Sequence, residues 1–79
     1  MDYNEDKVDD AVLALLYLTM RDDRTGTRAW KGHDWIAMDR LYRKGYIGDP
    51  KSKANSVAIT EQGKVKAAQL FRQIFGKAQ

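Results

Sequence analysis

A glycine stop, an alternating apolar strand and a capped helix, met in quick succession, leave a chain few ways to fold. Here all three lie between residues 41 and 60, LYRKGYIGDPKSKANSVAIT. Arg43 and Lys44 suit the negative end of a helix dipole, and Gly45 suits the left-handed position that closes a helix. Tyr46 and Ile47 then begin an extended segment. Asp49-Pro50 opens a turn, because proline presets φ and has no N–H to give a ladder. Residues 51–55 form a basic, polar loop too long for a two-residue hairpin. In 56–60 Val57 and Ile59 alternate onto one face, as in a half-buried strand. Thr60 suits a helix N-cap, with Glu61 in the first turn beyond it. The stretch predicts helix, hairpin, helix, with the hairpin over about 46–60.

At 79 residues the chain is expected to form one domain over 1–79, near the lower limit for a self-sufficient core. It has no cysteine, which fits a reducing compartment. The start is acidic, without the basic-then-apolar order of a signal peptide, and the longest apolar run, residues 11–18, is too short to span a bilayer. These features predict a cytoplasmic protein with no membrane association. The net charge of +3 hides a split. Residues 1–23 carry seven acids against Lys7 and Arg21, a balance of −5; residues 24–79 carry twelve bases against four acids, a balance of +8. Such a split means either a nucleic-acid face with an acidic back, or two ends that attract each other.

Apolar periodicity predicts a first helix over about 6–20, with Val8, Ala11, Val12, Leu15, Leu16 and Leu18 toward the core. Leu13 and Tyr17 fall on its other side, either as ordinary exposed apolar residues or as a subunit or partner contact. Residues 21–33 carry turn chemistry and no amphipathic helix, with a short strand near 28–30. Asp34 is the expected N-cap of a second helix over about 34–44, with Trp35, Met38, Leu41 and Tyr42 inward and Ile36, Arg40 and Arg43 outward. A third helix, about 61–75, turns Ala67, Ala68, Leu70, Phe71, Ile74 and Phe75 to one wide face.

Little of this carries chemistry. One histidine and no cysteine leave no metal-ligand set, no Ser-His-acid or Cys-His arrangement is present, and no glycine-rich phosphate loop precedes a helix. The expectation is a protein that is not an enzyme and needs no cofactor. Nucleic-acid binding has better materials. Arg40, Arg43 and Lys44 lie on one helix, and Lys51 and Lys53 on the following loop, where together they would meet a phosphate backbone. Ile36 among these cations would touch a thymine methyl in a groove, anchor a protein partner, or pack under the preceding loop. Ordinary solubilising charge is the competing account of the same cations.

The phrase "KGYI … ITEQG", with the helix before it and the helix after it, resembles the winged-helix superfamily, particularly small bacterial transcription regulators. The resemblance runs from about Trp35 to Phe75. It implies an α+β, winged-helix-like domain of three main helices and a hairpin wing, with the helix ending near Lys44 as recognition helix and Lys51 and Lys53 at the wing tip. More narrowly, RAWKGHDW (28–35) and DPKSK (49–53) resemble a family of short bacterial proteins known only as a domain of unknown function. Residues 21–33 depart from the superfamily pattern: they leave scant room for the helix that would support a recognition helix, so the second helix is missing or degenerate. Two functions are therefore expected. One is a DNA-binding regulator, acting as a homodimer; the other is a protein-interaction or dimerisation module with no nucleic-acid binding.

Overall fold

The computed structural model describes residues 1–77, so the last two positions of the expected 1–79 domain lie outside the described residues. In chain order it contains α1 (Glu5–Leu16), a 3-10 turn (Tyr17–Thr19), β1 (Arg21–Asp23), β2 (Gly26–Trp30), α2 (Trp35–Arg43), β3 (Ser56–Ile59) and α3 (Glu61–Phe75). The result is a small α+β fold: three helices and one three-stranded antiparallel sheet in the order β1-β2-β3.

Each helix begins where a side chain can satisfy its free N–H groups. Asn4 accepts from the Lys7 N–H (3.0 Å), Asp34 from Ala37 (3.0 Å) and Thr60 from Gly63 (2.9 Å). Gly45 closes α2 at φ +84°, the left-handed conformation its place in the sequence predicted. Thr60 does more than cap. Its hydroxyl donates to the Gly45 carbonyl (2.8 Å), and its N–H donates to Tyr46 O (3.1 Å). It thus joins the end of α2 to the start of α3. Thr60→Ala is expected to lower stability by about 1–2 kcal/mol, read as a lower thermal midpoint, while Thr60→Ser, which keeps the hydroxyl, should avoid most of that loss.

The segment that lacked a helical pattern is a β-hairpin. Asp23 Oδ1 accepts from the Thr25 N–H (2.8 Å) and hydroxyl (2.6 Å), and Gly26 takes φ +115° to reverse the chain. The strand expected near 28–30 runs from Gly26 to Trp30 and pairs with β3 in the register Thr27↔Ile59, Ala29↔Val57. Those four residues face inward and are buried. Only residues 31–34 separate β2 from α2, so no second helix precedes it.

The hairpin expected over 46–60 is reduced. β3 pairs chiefly with β2, and its other edge meets the preceding segment only at the bridge Ile47↔Ile59. Pairing stops after Gly48 donates to Ala58 O (2.8 Å), because Pro50 has no N–H and is itself buried. Lys31 holds the loop that follows: its ammonium donates to Pro50 O (2.9 Å), Ser52 O (2.5 Å) and Ser52 Oγ (3.2 Å).

The core comprises Leu13 and Leu16 of α1, Met38 and Leu41 of α2, Ile47, Val57 and Leu70, among others. Two expected core faces are turned, and a third is narrower than expected, since in α3 Ala67 and Leu70 are buried but Ile74 and Phe75 are exposed. In α1 the buried arc runs through Asp9, Val12, Leu13 and Leu16, leaving Leu15 exposed; the helix stops at Leu16 rather than near residue 20, and Leu18 stands exposed in the 3-10 turn that follows. Leu13, expected at a partner surface, is completely buried, because α1 is covered by α2 as well as by α3. In α2 the inward residues are Ala37, Met38 and Leu41, while Trp35 and Tyr42 are exposed.

Candidate interaction surfaces

Charge decides where the expected DNA-contacting residues go. The acidic start of α1 lies against the basic end of α2, an arrangement that also suits both helix dipoles. Asp9, 1% exposed, sits at the centre. Arg40 Nε lies 2.8 and 2.9 Å from its two carboxylate oxygens, and Arg40 Nη1 lies 2.9 Å from Glu5. Nη2 is 2.8 Å from Asp9 Oδ1 but poorly aligned for a hydrogen bond. Lys44 Nζ bridges Asp9 (2.8 Å) and Asp6 (2.9 Å). Burial pushes the Asp9 carboxyl upward, but the hydrogen bonds from Arg40 and Lys44 outweigh it and hold the group below the usual carboxylate range. The same bonds raise Arg40 and Lys44.

The expected cation set is therefore divided. The Arg40 side chain is only 12% exposed and turned toward α1. Arg43 is exposed and pairs with Asp39 on its own helix (2.9 Å). Lys51 and Lys53 are exposed on the loop braced by Lys31. Ile36 is 60% exposed and does not pack under the preceding loop. Tyr17 is exposed just past the end of α1, its ring centroid 5.2 Å from that of Phe71. The clue to the ion cluster was the −5/+8 split, and its attractive reading accounts for Arg40 and Lys44.

Two surface features were missed in the sequence. The first follows β2. The Trp30 indole lies over Gly32, where a side chain would collide with the ring, and meets the His33 ring edge-on at 5.6 Å. Burial lowers the His33 pKa, favouring neutral imidazole. Although held this way, Trp30 stays 51% exposed, and the nearby Trp35 is 62% exposed. Through Lys31, the stretches 28–35 and 49–53 come together in space. The signal was the pair of tryptophans flanking a glycine.

The second is an open cleft of about 340 Å³ between the β1–β2 hairpin and α3. Tyr17, Met20, Val65 and Ala68 give it apolar walls, and Asp22, Glu61 and Lys64 stand at its rim. Asp22 accepts from the Thr27 hydroxyl and lies 3.8 Å from Lys64. Among the described residues no three histidine, cysteine or acidic side chains converge as a metal site, and no helix is long and apolar enough to cross a membrane.

Residues 4–77 match a domain of unknown function, DUF6429. The chain is also 48% identical over 75 residues to the uncharacterized protein y4hR of Sinorhizobium fredii, a match covering 95% of this chain and 97% of that protein. No solved structure matches. The chain belongs to the DUF6429 family.

Proposed function

We propose that this DUF6429 member is a small cytoplasmic protein-interaction module, able to associate with itself, built on a reduced winged-helix-like frame and without catalytic activity. The winged-helix likeness is one of order: helix, strand, helix, a bridged segment, loop, strand and helix, with a hairpin and a short link where the second helix would stand. One observation carries the functional reading. Arg40 and Lys44, the cations a recognition helix would offer to phosphate, are held by Asp9 and its neighbours. Releasing them would leave a buried carboxylate without partners. What the helix presents outward instead is largely apolar: Trp35, Ile36 and Tyr42, with Trp30 alongside. Exposed aromatic groups held in place lose little freedom on docking and make strong anchors for a protein partner.

Fluorescence anisotropy of the purified protein with random duplex DNA tests this reading at low and physiological salt. The expected result is no binding in the micromolar range at either. Micromolar binding that falls steeply between about 50 and 200 mM salt would overturn it. Of the expected DNA-contacting cations, Arg43, Lys51 and Lys53 are the ones not held by α1, and replacing all three with alanine should then weaken the signal.

A further inference from the structure

The outward face of α3 carries a repeat that the fold does not use. Glu61, Val65, Ala68, Arg72 and Phe75 follow one another at spacings of four, three, four and three, so they form one stripe along the helix. The stripe lies roughly opposite Gly63, Ala67 and Leu70, which face the core. Val65 is 58% exposed, and Phe75 is exposed with its ring 5.2 Å from Phe71. The middle of the stripe, Ala68, is small enough to let a second helix approach closely. Its charges are also placed asymmetrically: an acid in the first turn and a base in the last. Among the described residues neither Glu61 nor Arg72 has an ion-pair partner.

We infer that this stripe is the surface through which two copies of the chain associate, α3 against α3 in antiparallel order about a two-fold axis at Ala68. The inference rests on the self-associating interaction module proposed above. An antiparallel pair places unlike dipole ends together, and the charge pattern complements itself only in that order. With the axis at residue 68, Glu61 stands level with residue 75 of the second copy. Arg72 of that copy lies three residues along, about 4.5 Å, within reach of its side chain. The two-fold axis makes the same pair twice. It also keeps the same flank of both helices on one side, so each Phe75 lies over the other copy's cleft beside Glu61 and Lys64. An apolar ring would then occupy the cleft between Val65, Tyr17 and Met20. Parallel packing would instead set Glu61 against Glu61 and Arg72 against Arg72.

Charge exchange tests the order of the helices, and sedimentation equilibrium reads it. The wild-type chain should be a dimer. Glu61→Arg or Arg72→Glu should each weaken it by about tenfold or more, since two attractions become repulsions. The double variant, which restores both pairs with their signs exchanged, should recover most of the affinity. Val65→Glu should give a monomer that keeps the wild-type far-UV circular dichroism, because that position is exposed and outside the core. The absence of cysteine permits a second, positional test. Ala68→Cys should form a disulfide-linked dimer readily on mild oxidation, because a disulfide needs Cα atoms within about 7 Å and only residues near the axis meet themselves. Gln73→Cys, on another flank, should not. A monomer at all concentrations up to about 1 mM overturns the inference and the self-association in the reading above, but leaves docking to a different protein standing, whereas salt-sensitive DNA binding overturns the interaction reading itself. A dimer indifferent to both charge variants and linked equally by either cysteine also overturns the inference.

Discussion

Gly63→Ala should destabilise the protein by about 3 kcal/mol, the upper end for forcing extra volume into a packed site. Taken alone, α3 predicts the opposite sign, because alanine is about 1 kcal/mol better than glycine inside a helix. Packing decides the outcome. A Cβ on Gly63 would collide with the Tyr46 carbonyl oxygen and lie 2.8 Å from the carbonyl carbon. That oxygen cannot swing away as a side chain would. It already accepts from the Thr60 N–H at 3.1 Å, and Tyr46 itself donates to Leu41 O at 3.1 Å. Relief requires moving α3 or the segment that links α2 to Ile47. In a domain of this size the loss would lower the thermal midpoint by about 12 °C or more, measured by circular dichroism. A variant as stable as the wild type, or more so, would show that α3 does not approach Tyr46 this closely.

Asp9→Ala should cost about 3 kcal/mol, the low end for removing one partner of a buried ion pair. The low end applies because Arg40 keeps Glu5 and Lys44 keeps Asp6, and both of those acids are exposed to water. Urea unfolding at neutral pH measures the loss. If Asp9 and Arg40 act as a unit, Asp9→Ala and Arg40→Ala together should cost clearly less than the sum of the two alone. Additive losses would mean the pair is not coupled. The pH dependence follows from the carboxyl being held below its usual value when folded. The stabilisation is complete above the unfolded value of about 3.9 and disappears as pH falls through the lower folded value. Asp9→Asn should therefore flatten the acid limb of the stability curve, lowering stability at neutral pH more than in acid. An unchanged acid limb would place the acid sensitivity elsewhere.

Local chemistry carried much of the fold. The stop at Gly45, the caps at Asp34 and Thr60 and the alternation of Val57 and Ile59 were legible because each depends on a few neighbouring residues and the backbone they prefer. Even the strand before Trp30 was legible, from the lack of a helical pattern around it. The face of α1 was not. Apolar periodicity turns charged residues toward water, yet Asp9 lies at the centre of the buried arc, so the inferred core face was rotated and Leu13 assigned to the surface. The same error from the other side left Arg40 and Lys44 as free cations, since their partners lie more than thirty residues away in sequence.

The sequence by itself determined where α2, α3 and the main strand begin and end, because capping, glycine conformation and β alternation act within a few residues; the end of α1, which carries no such stop signal, it did not. It also supplied the unequal charge of the two parts of the chain. Tertiary structure alone decided how that charge is used. Whether a cation faces water or a carboxylate depends on which helix lies across from it, and this chain sets the acidic start of α1 against the basic end of α2. Tertiary structure likewise decided which apolar residues were left uncovered. A core of this size fills before Trp30, Trp35, Ile36 and the outer stripe of α3 can enter it, and those uncovered groups are the surfaces through which the protein is proposed to act.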